Sequence, residues 1–491
     1  MLKFFRIKEN NTTVRAEIIA GITTFMAMVY ILIVNAGIFT STLETAPGSG
    51  VFFQIIPGIS FQGMYIATAI GAIVGTMLMA FLAKMPLAQA SGMGINAFVV
   101  FTLVLSTGMT YANCMVFTLL EGVIFLLLTV TGLRTKIFHA IPAAVRHAIP
   151  VGIGMFIAFI GMQNAGVIVN DDSTLVTFVS FNLLNGNAYA MLPPAIALVG
   201  VIAIAVLSKK NVKGAVLWGI LGAAALYYAI SGIAAAMGNE AAIKLFQGIS
   251  LSNPFEAFGA WWRESAGKVF TEGFDFSAYL NATDPKTGEL VGNNTGSLVM
   301  VLITTALSLC MLDMFDTIGT LYGACARGNL LDENGKPLNM EKSMLADAIA
   351  TCAGAMAGTS TVTTFVESSS GVAAGGKTGL TAFVTGVCFI LAMFLSPIAQ
   401  LIPNCATATA LIWVGVLMMA SVTKIDWNDP AEAITGFMTF IIMALGYGIS
   451  TGIGLGILTF VLVKLCTGKV KEISVATWVL SAFFLATFLL T

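Results

Sequence analysis

The sequence predicts an all-α polytopic membrane protein, fourteen transmembrane spans arranged as a 7+7 inverted repeat. Three observations predict it. Of 491 residues, 57% are hydrophobic and 10% charged, against roughly 25% charged in soluble domains, and mean hydropathy is +0.92. Apolar runs near the ~20 residues that a spanning helix needs recur along the chain. A long polar stretch, 238–296, divides these runs equally, and an odd number in each half turns the second half upside down.

The runs fall at 17–39, 62–83, 88–105, 111–131, 142–164, 190–207 and 212–237, then at 297–322, 344–358, 362–376, 379–396, 407–422, 432–447 and 449–466. A last run, 473–490, is compatible with a crossing and equally with lying against the bundle or the membrane surface. Lys3, Arg6, Lys8 and Arg15 place the N-terminus in the cytoplasm. Alternation then puts Lys84, Arg134, Lys136, Arg146, Lys209, Lys210, Lys213, Arg327, Lys336, Lys342, Lys377, Lys424 and Lys464 on the same side, while Glu44, Asp171 and Asp172 lie outside. The 238–296 loop holds Trp261, Trp262, Phe255, Phe258, Phe270, Phe274 and Phe276, which points to an amphipathic surface segment; a lid is the rival reading.

Composition excludes several functions. A net charge of −1 gives no electrostatic case for nucleic acid. The seven cysteines stand singly, with no C-x-x-C pair. The two histidines, His139 and His147, both fall in a basic loop. No metal, no cofactor and no enzymatic activity is expected.

The third and tenth runs are short and glycine-rich, each with a polar residue at its middle. One reads A-Q-A-S-G-M-G-I-N-A-F (Ala88–Phe98) and includes Gly94 and Asn96. The other reads F-V-E-S-S-S-G (Phe365–Gly371) and includes Val366 and Glu367. By alternation they run in opposite directions. Two broken helices crossing near the midplane would aim their N-terminal N–H groups at one ligand.

A carboxylate at membrane depth costs ~2.5–3.5 kcal/mol on insertion scales and usually faces a cavity. Glu367 is such a group and can accept from ring N–H or amino groups. Asp313 and Asp316 stand three apart in L-D-M-F-D-T and so share a helix face. Two close acids in low dielectric resist ionising together, and the pair suits a proton-coupled carrier; a hydrogen-bonded pair pinning helices is the alternative. Phe365 suits stacking on a flat ring or plain packing. Asn96 suits a ligand contact or a cap. Position favours a structural partner role for Glu121, a solvated or capping role for Asp347 at its helix start, and an anchoring role for Gln163 and Asn164. An intramembrane aspartyl protease needs its aspartates on facing helices, whereas Asp313 and Asp316 share one helix.

Three strings carry a resemblance: D-M-F-D-T-I-G-T-L (Asp313–Leu321), G-T-S-T-V-T-T-F-V-E-S-S-S-G-V-A-A-G-G-K-T-G-L-T-A (Gly358–Ala382) and G-M-G-I-N-A-F (Gly92–Phe98). Together with Asn10–Leu32 and Gly152–Gly166, they resemble the adenine/guanine/hypoxanthine permease branch of the nucleobase–cation symporters, relatives of uracil permease. The resemblance implies a core domain (1–133 and 297–398) and a gate domain (134–237 and 399–491), with 238–296 an extracytoplasmic loop. It implies a homodimer in the cell membrane that imports a purine nucleobase with a proton rather than sodium. Another nucleobase-like or anionic solute is the alternative cargo. Substrate contacts then fall on Asp313, Glu367, Asn96, Phe365, Val366 and Gly94, and proton coupling on Asp316, Asp313 and Glu367. The family usually has proline where Ser91 and Thr409 stand.

Overall fold

A computed structural model describes residues 4–44, 52–132, 141–171, 173–181, 188–248, 253–281, 294–328, 330–333 and 336–490. Lys3, Arg134, Lys136, His139 and Asp172, used above, lie outside the described residues. His147 lies on helix Ala143–Asn164 rather than in a loop.

Among the described residues, 9 helices are long and apolar enough to cross a membrane, and Met93–Ser106, Gly379–Met393, Pro430–Leu445 and Val475–Leu489 are shorter apolar helices. The helix Met340–Ala357 carries Glu341, Lys342 and Asp347 and is less apolar. Local sequence chemistry starts several of these elements. Ser60 accepts from the Gly63 N–H, Thr110 forms a capping box with Asn113, and Asn294 does the same with Ser297. Such a cap is worth ~1 kcal/mol because it satisfies an N–H that the helix cannot. Gly358, at φ +87°, ends Met340–Ala357 in the left-handed conformation that glycine adopts without strain.

The third and tenth segments are not simple half-helices. Gln89–Ser91 and Val362–Thr364 pair as short antiparallel strands, in register Gln89 with Thr364, Ala90 with Thr363 and Ser91 with Val362. The ladder extends through Gly92 N to Thr361 O (2.9 Å) and Phe365 N to Ala88 O (3.1 Å). Strands that spend their backbone groups on each other tolerate burial, which a lone extended segment would not. Helices then leave the pair: Met93–Ala97, continued as π-helix over Phe98–Ser106, and Ser368–Ala373.

The helices pack in two groups. In one, Val14–Met28 lies on Gly379–Met393, Phe61–Leu78 on Met340–Ala357, and Tyr111–Val130 on Met340–Ala357 and Thr295–Arg327. In the other, Ala143–Asn164 lies on Asn404–Met418 and Pro430–Leu445, Leu192–Lys209 on Ala215–Ala236, and Pro430–Leu445 on Ile449–Cys466. Small residues bring backbones close, as expected where lipid gives helices no hydrophobic reason to associate. A Cβ built on Gly415 would stand 2.4 Å from the Gly154 carbonyl oxygen.

Helices Glu240–Gln247 and Pro254–Glu264 occupy part of the polar loop and are amphipathic, with Phe255 and Trp262 exposed. The second is tied down: Trp261 Nε1 donates to the Ala357 carbonyl at 2.8 Å, and Glu264 Oε2 accepts from Ser60 N at 2.8 Å and from its hydroxyl at 2.6 Å. The last apolar run is a helix of 16 residues, Val475–Leu490, packed on Ile449–Cys466 and Thr295–Arg327.

Candidate functional site

A cavity of about 90 Å³ lies between the two helix groups. From the first group, Gly92–Ile95, Leu312, Asp316 and Thr364–Glu367 line it; from the second, Ile153, Ile157, Val414, Leu417 and Met418. Its polar side chains are Asp316, Thr364 and Glu367, and its apolar wall is the opposite group. Five of the expected residues therefore meet here: Gly94, Phe365, Val366, Glu367 and Asp316. Gly94 has a packing reason to be glycine, since a Cβ there would lie 2.5 Å from Ile153 Cγ2.

Asp313 and Asn96 stand elsewhere. Both are completely buried and neither lines the cavity. One helical turn separates Asp313 from Asp316, yet Asp316 opens to the cavity while Asp313 turns into the protein. Asp316 remains within electrostatic reach of both Asp313 and Glu367.

Behind the strands is a polar layer that sequence reading did not assemble. Thr317 Oγ1 donates to Asp347 Oδ2 at 2.5 Å and lies 3.4 Å from Asp313 Oδ1. Gln89 Nε2 donates to Asp347 Oδ1 at 2.8 Å, and Thr361 Oγ1 donates to Glu121 Oε2 at 2.5 Å. Asp347 is thus fully buried, not solvated: its helix packs into the bundle and its carboxylate collects donors from the strand pair. Glu121 also sits within electrostatic reach of Asp313 and Asp347. Asn96 accepts from Ser360, and its oxygen lies 3.2 Å from Ser91 Oγ. Ser91 Oγ is also 2.8 Å from Thr359 Oγ1 and 2.9 Å from Ser360 Oγ. Ser91 therefore supplies a hydroxyl that stitches the two broken segments together.

Two further residues were missed. Tyr30, fully buried on helix Tyr30–Phe39, donates its hydroxyl to Glu367 Oε1 at 2.6 Å; a lone tyrosine deep in the first apolar run was the available signal. Glu17, also fully buried, accepts from Lys377 N (3.0 Å), Thr378 N (3.2 Å), Thr378 Oγ1 (2.8 Å) and Thr381 Oγ1 (2.7 Å). It caps the positive end of helix Gly379–Met393. Gln163 accepts from the Tyr447 hydroxyl.

A polytopic helical bundle with acids facing an internal cavity defines an integral membrane protein built around a polar site, and the solved structures agree on the fold. The transmembrane domain of the cyanobacterial bicarbonate transporter BicA superposes with a TM-score of 0.56 at 14% identity, covering 89% of this chain and 96% of that one. SLC26A9 gives 0.56 at 11% identity, covering 94% and 66%. The chain belongs to the Permease family, whose model matches residues 15–455. It is 37% identical over 492 residues to the guanine/hypoxanthine permease PbuO of Bacillus subtilis, covering 99% of this chain and all (100%) of that one. It is 33% identical over 482 residues to the adenine permease AdeQ of Escherichia coli, covering 98% and 94%. The expected membership of the purine branch of the nucleobase transporters holds.

Proposed function

We propose that this protein is a secondary transporter that carries purine nucleobases (adenine, guanine or hypoxanthine) across the cell membrane, inward and together with a proton. The observation that carries the reading is the joint placement of Glu367, Asp316 and Phe365 on one cavity beside the strand pair. Glu367 accepts the base's N–H groups, Phe365 stacks on its ring, and Val366 and Gly94 close around its edge. Aromatic stacking on a base is worth roughly 1–3 kcal/mol where it has been measured. Asp316 holds the proton, with Asp313 and the hydroxyl layer behind it; Asn96 keeps the crossing in shape. Acidic lining disfavours an anion. The names of the relatives, guanine/hypoxanthine and adenine permeases, agree with this cargo.

In this reading the fourteen segments form a 7+7 inverted repeat whose broken third and tenth members meet at the bilayer midplane, with the N-terminus in the cytoplasm. The group carrying the strand pair (1–133 and 297–398) is the core, the other (134–237 and 399–491) is the gate, and the carrier is a homodimer. The cavity is smaller than the ~150 Å³ apolar cavity that admits benzene, so a bicyclic base enters only when core and gate part. Met418, unbranched with three rotatable bonds, is the wall side chain best suited to give way.

The test is uptake of labelled adenine, hypoxanthine and guanine by proteoliposomes under an inward proton gradient. Glu367→Gln is expected to reduce uptake tenfold or more, since a charge-assisted hydrogen bond is worth roughly 1.5–3 kcal/mol, and Asp316→Asn, which cannot take up and release the proton, is expected to abolish accumulation driven by the gradient. Collapse of the gradient should stop accumulation. Undiminished uptake in both variants rejects the site.

A further inference from the structure

We propose that Tyr30 satisfies one oxygen of Glu367 in advance of any ligand and thereby sets which purine edge the cavity favours; this rests on the purine reading above. Tyr30 does not line the cavity. It stands behind Glu367, fully buried, and uses its single O–H proton on Oε1 at 2.6 Å. An ionised carboxylate has two oxygens, and two parallel donors engage both, as in arginine–carboxylate pairs. With Tyr30 on one lone pair of Oε1, that oxygen is satisfied without a ligand, and Oε2 is left to one in the cavity.

The consequence separates two bases that differ by one amino group. Guanine presents a ring N–H beside an exocyclic amino N–H, a pair of donors spaced for both oxygens. Hypoxanthine presents the ring N–H alone. While Tyr30 satisfies Oε1, the amino group of guanine adds only a second, weaker hydrogen bond there, and the two bases bind with similar affinity. Tyr30→Phe keeps the ring and its packing and removes the donor alone. Hypoxanthine then leaves Oε1 bare in a buried site, whereas guanine fills it.

The experiment measures equilibrium binding of labelled guanine, hypoxanthine and adenine to the purified full-length protein and to its Tyr30→Phe variant. The expected result is similar affinity for guanine and hypoxanthine in the wild type, and a shift of that ratio toward guanine by roughly tenfold or more in the variant. Equal weakening of both bases makes Tyr30 a packing residue and overturns the inference. Should the variant fail to purify as a monodisperse protein, the wild type decides. A roughly tenfold preference for guanine over hypoxanthine there shows that the amino group gains fully at Oε1 despite Tyr30 and overturns the inference, as does binding of adenine with neither 6-oxopurine. A wild type that binds no purine rejects the purine reading itself.

Discussion

At the scale of single residues, a carboxylate's role follows from its donors. Glu17 and Asp347 are saturated by donors from neighbouring segments and act as structural clamps. Glu367, with one tyrosine on it and a cavity before it, is left with acceptor capacity. A surface example gives a pH test. Lys464, near the end of helix Ile449–Cys466, donates to Glu472 Oε2 at 2.6 Å, and this hydrogen bond holds the Glu472 carboxyl below its usual value. A depressed folded value means the pair stabilises the protein above the unfolded value of ~4.3 and stops doing so as pH falls through the folded one. Glu472→Gln should therefore lower the thermal midpoint of the purified protein at neutral pH, and the gap to wild type should close in acid. A gap that persists below the carboxylate range would show that packing rather than charge is responsible.

At the scale of elements, the clamp at Glu17 ties helix Val14–Met28 to the start of helix Gly379–Met393, segments 360 residues apart. Glu17→Gln places an amide N–H₂ against N–H and O–H donors that require an acceptor. The expected loss is about 1.5–3 kcal/mol, read as a lower unfolding midpoint with base affinity retained by the fraction that stays folded. An unchanged midpoint would remove the clamp from the account. This element also shows what the sequence could and could not tell. Glycine and hydroxyl richness marked Ala88–Phe98 and Phe365–Gly371 as broken segments, and depth in apolar runs marked Glu367 and the aspartate pair. Strands of three residues have too few positions to show alternation, so their pairing was hidden. The spacing of Asp313 and Asp316 put them on one face but could not say which of them turns to the cavity. Asp347 sits beside Glu341 and Lys342, so its burial depended on partners from remote strands.

At the scale of the whole molecule, the two helix groups enclose the cavity, and alternating access requires contacts between them to break on one side at a time. One such contact is explicit. Thr102 Oγ1, on the π-helical end of the third segment, donates to the Tyr447 carbonyl at 2.7 Å. The Tyr447 ring is wedged against Phe101, Phe156 and Phe159, with centroids 6.5, 5.7 and 5.7 Å away. Tyr447 holds φ +50°, a left-handed conformation that costs a non-glycine residue about 1–3 kcal/mol and persists only where its surroundings enforce it. Strain released when the groups separate would lower the cost of opening at this end. A Thr102→Cys/Tyr447→Cys pair, placed in a Cys466→Ser background because Cys466 is the exposed cysteine among the described residues, should cross-link on oxidation. Uptake of labelled purine should then stop and return on reduction, while each single variant ignores the oxidant. Full-rate uptake by the cross-linked protein would mean that the groups do not part at Tyr447, and the moving boundary would have to be sought between other segments.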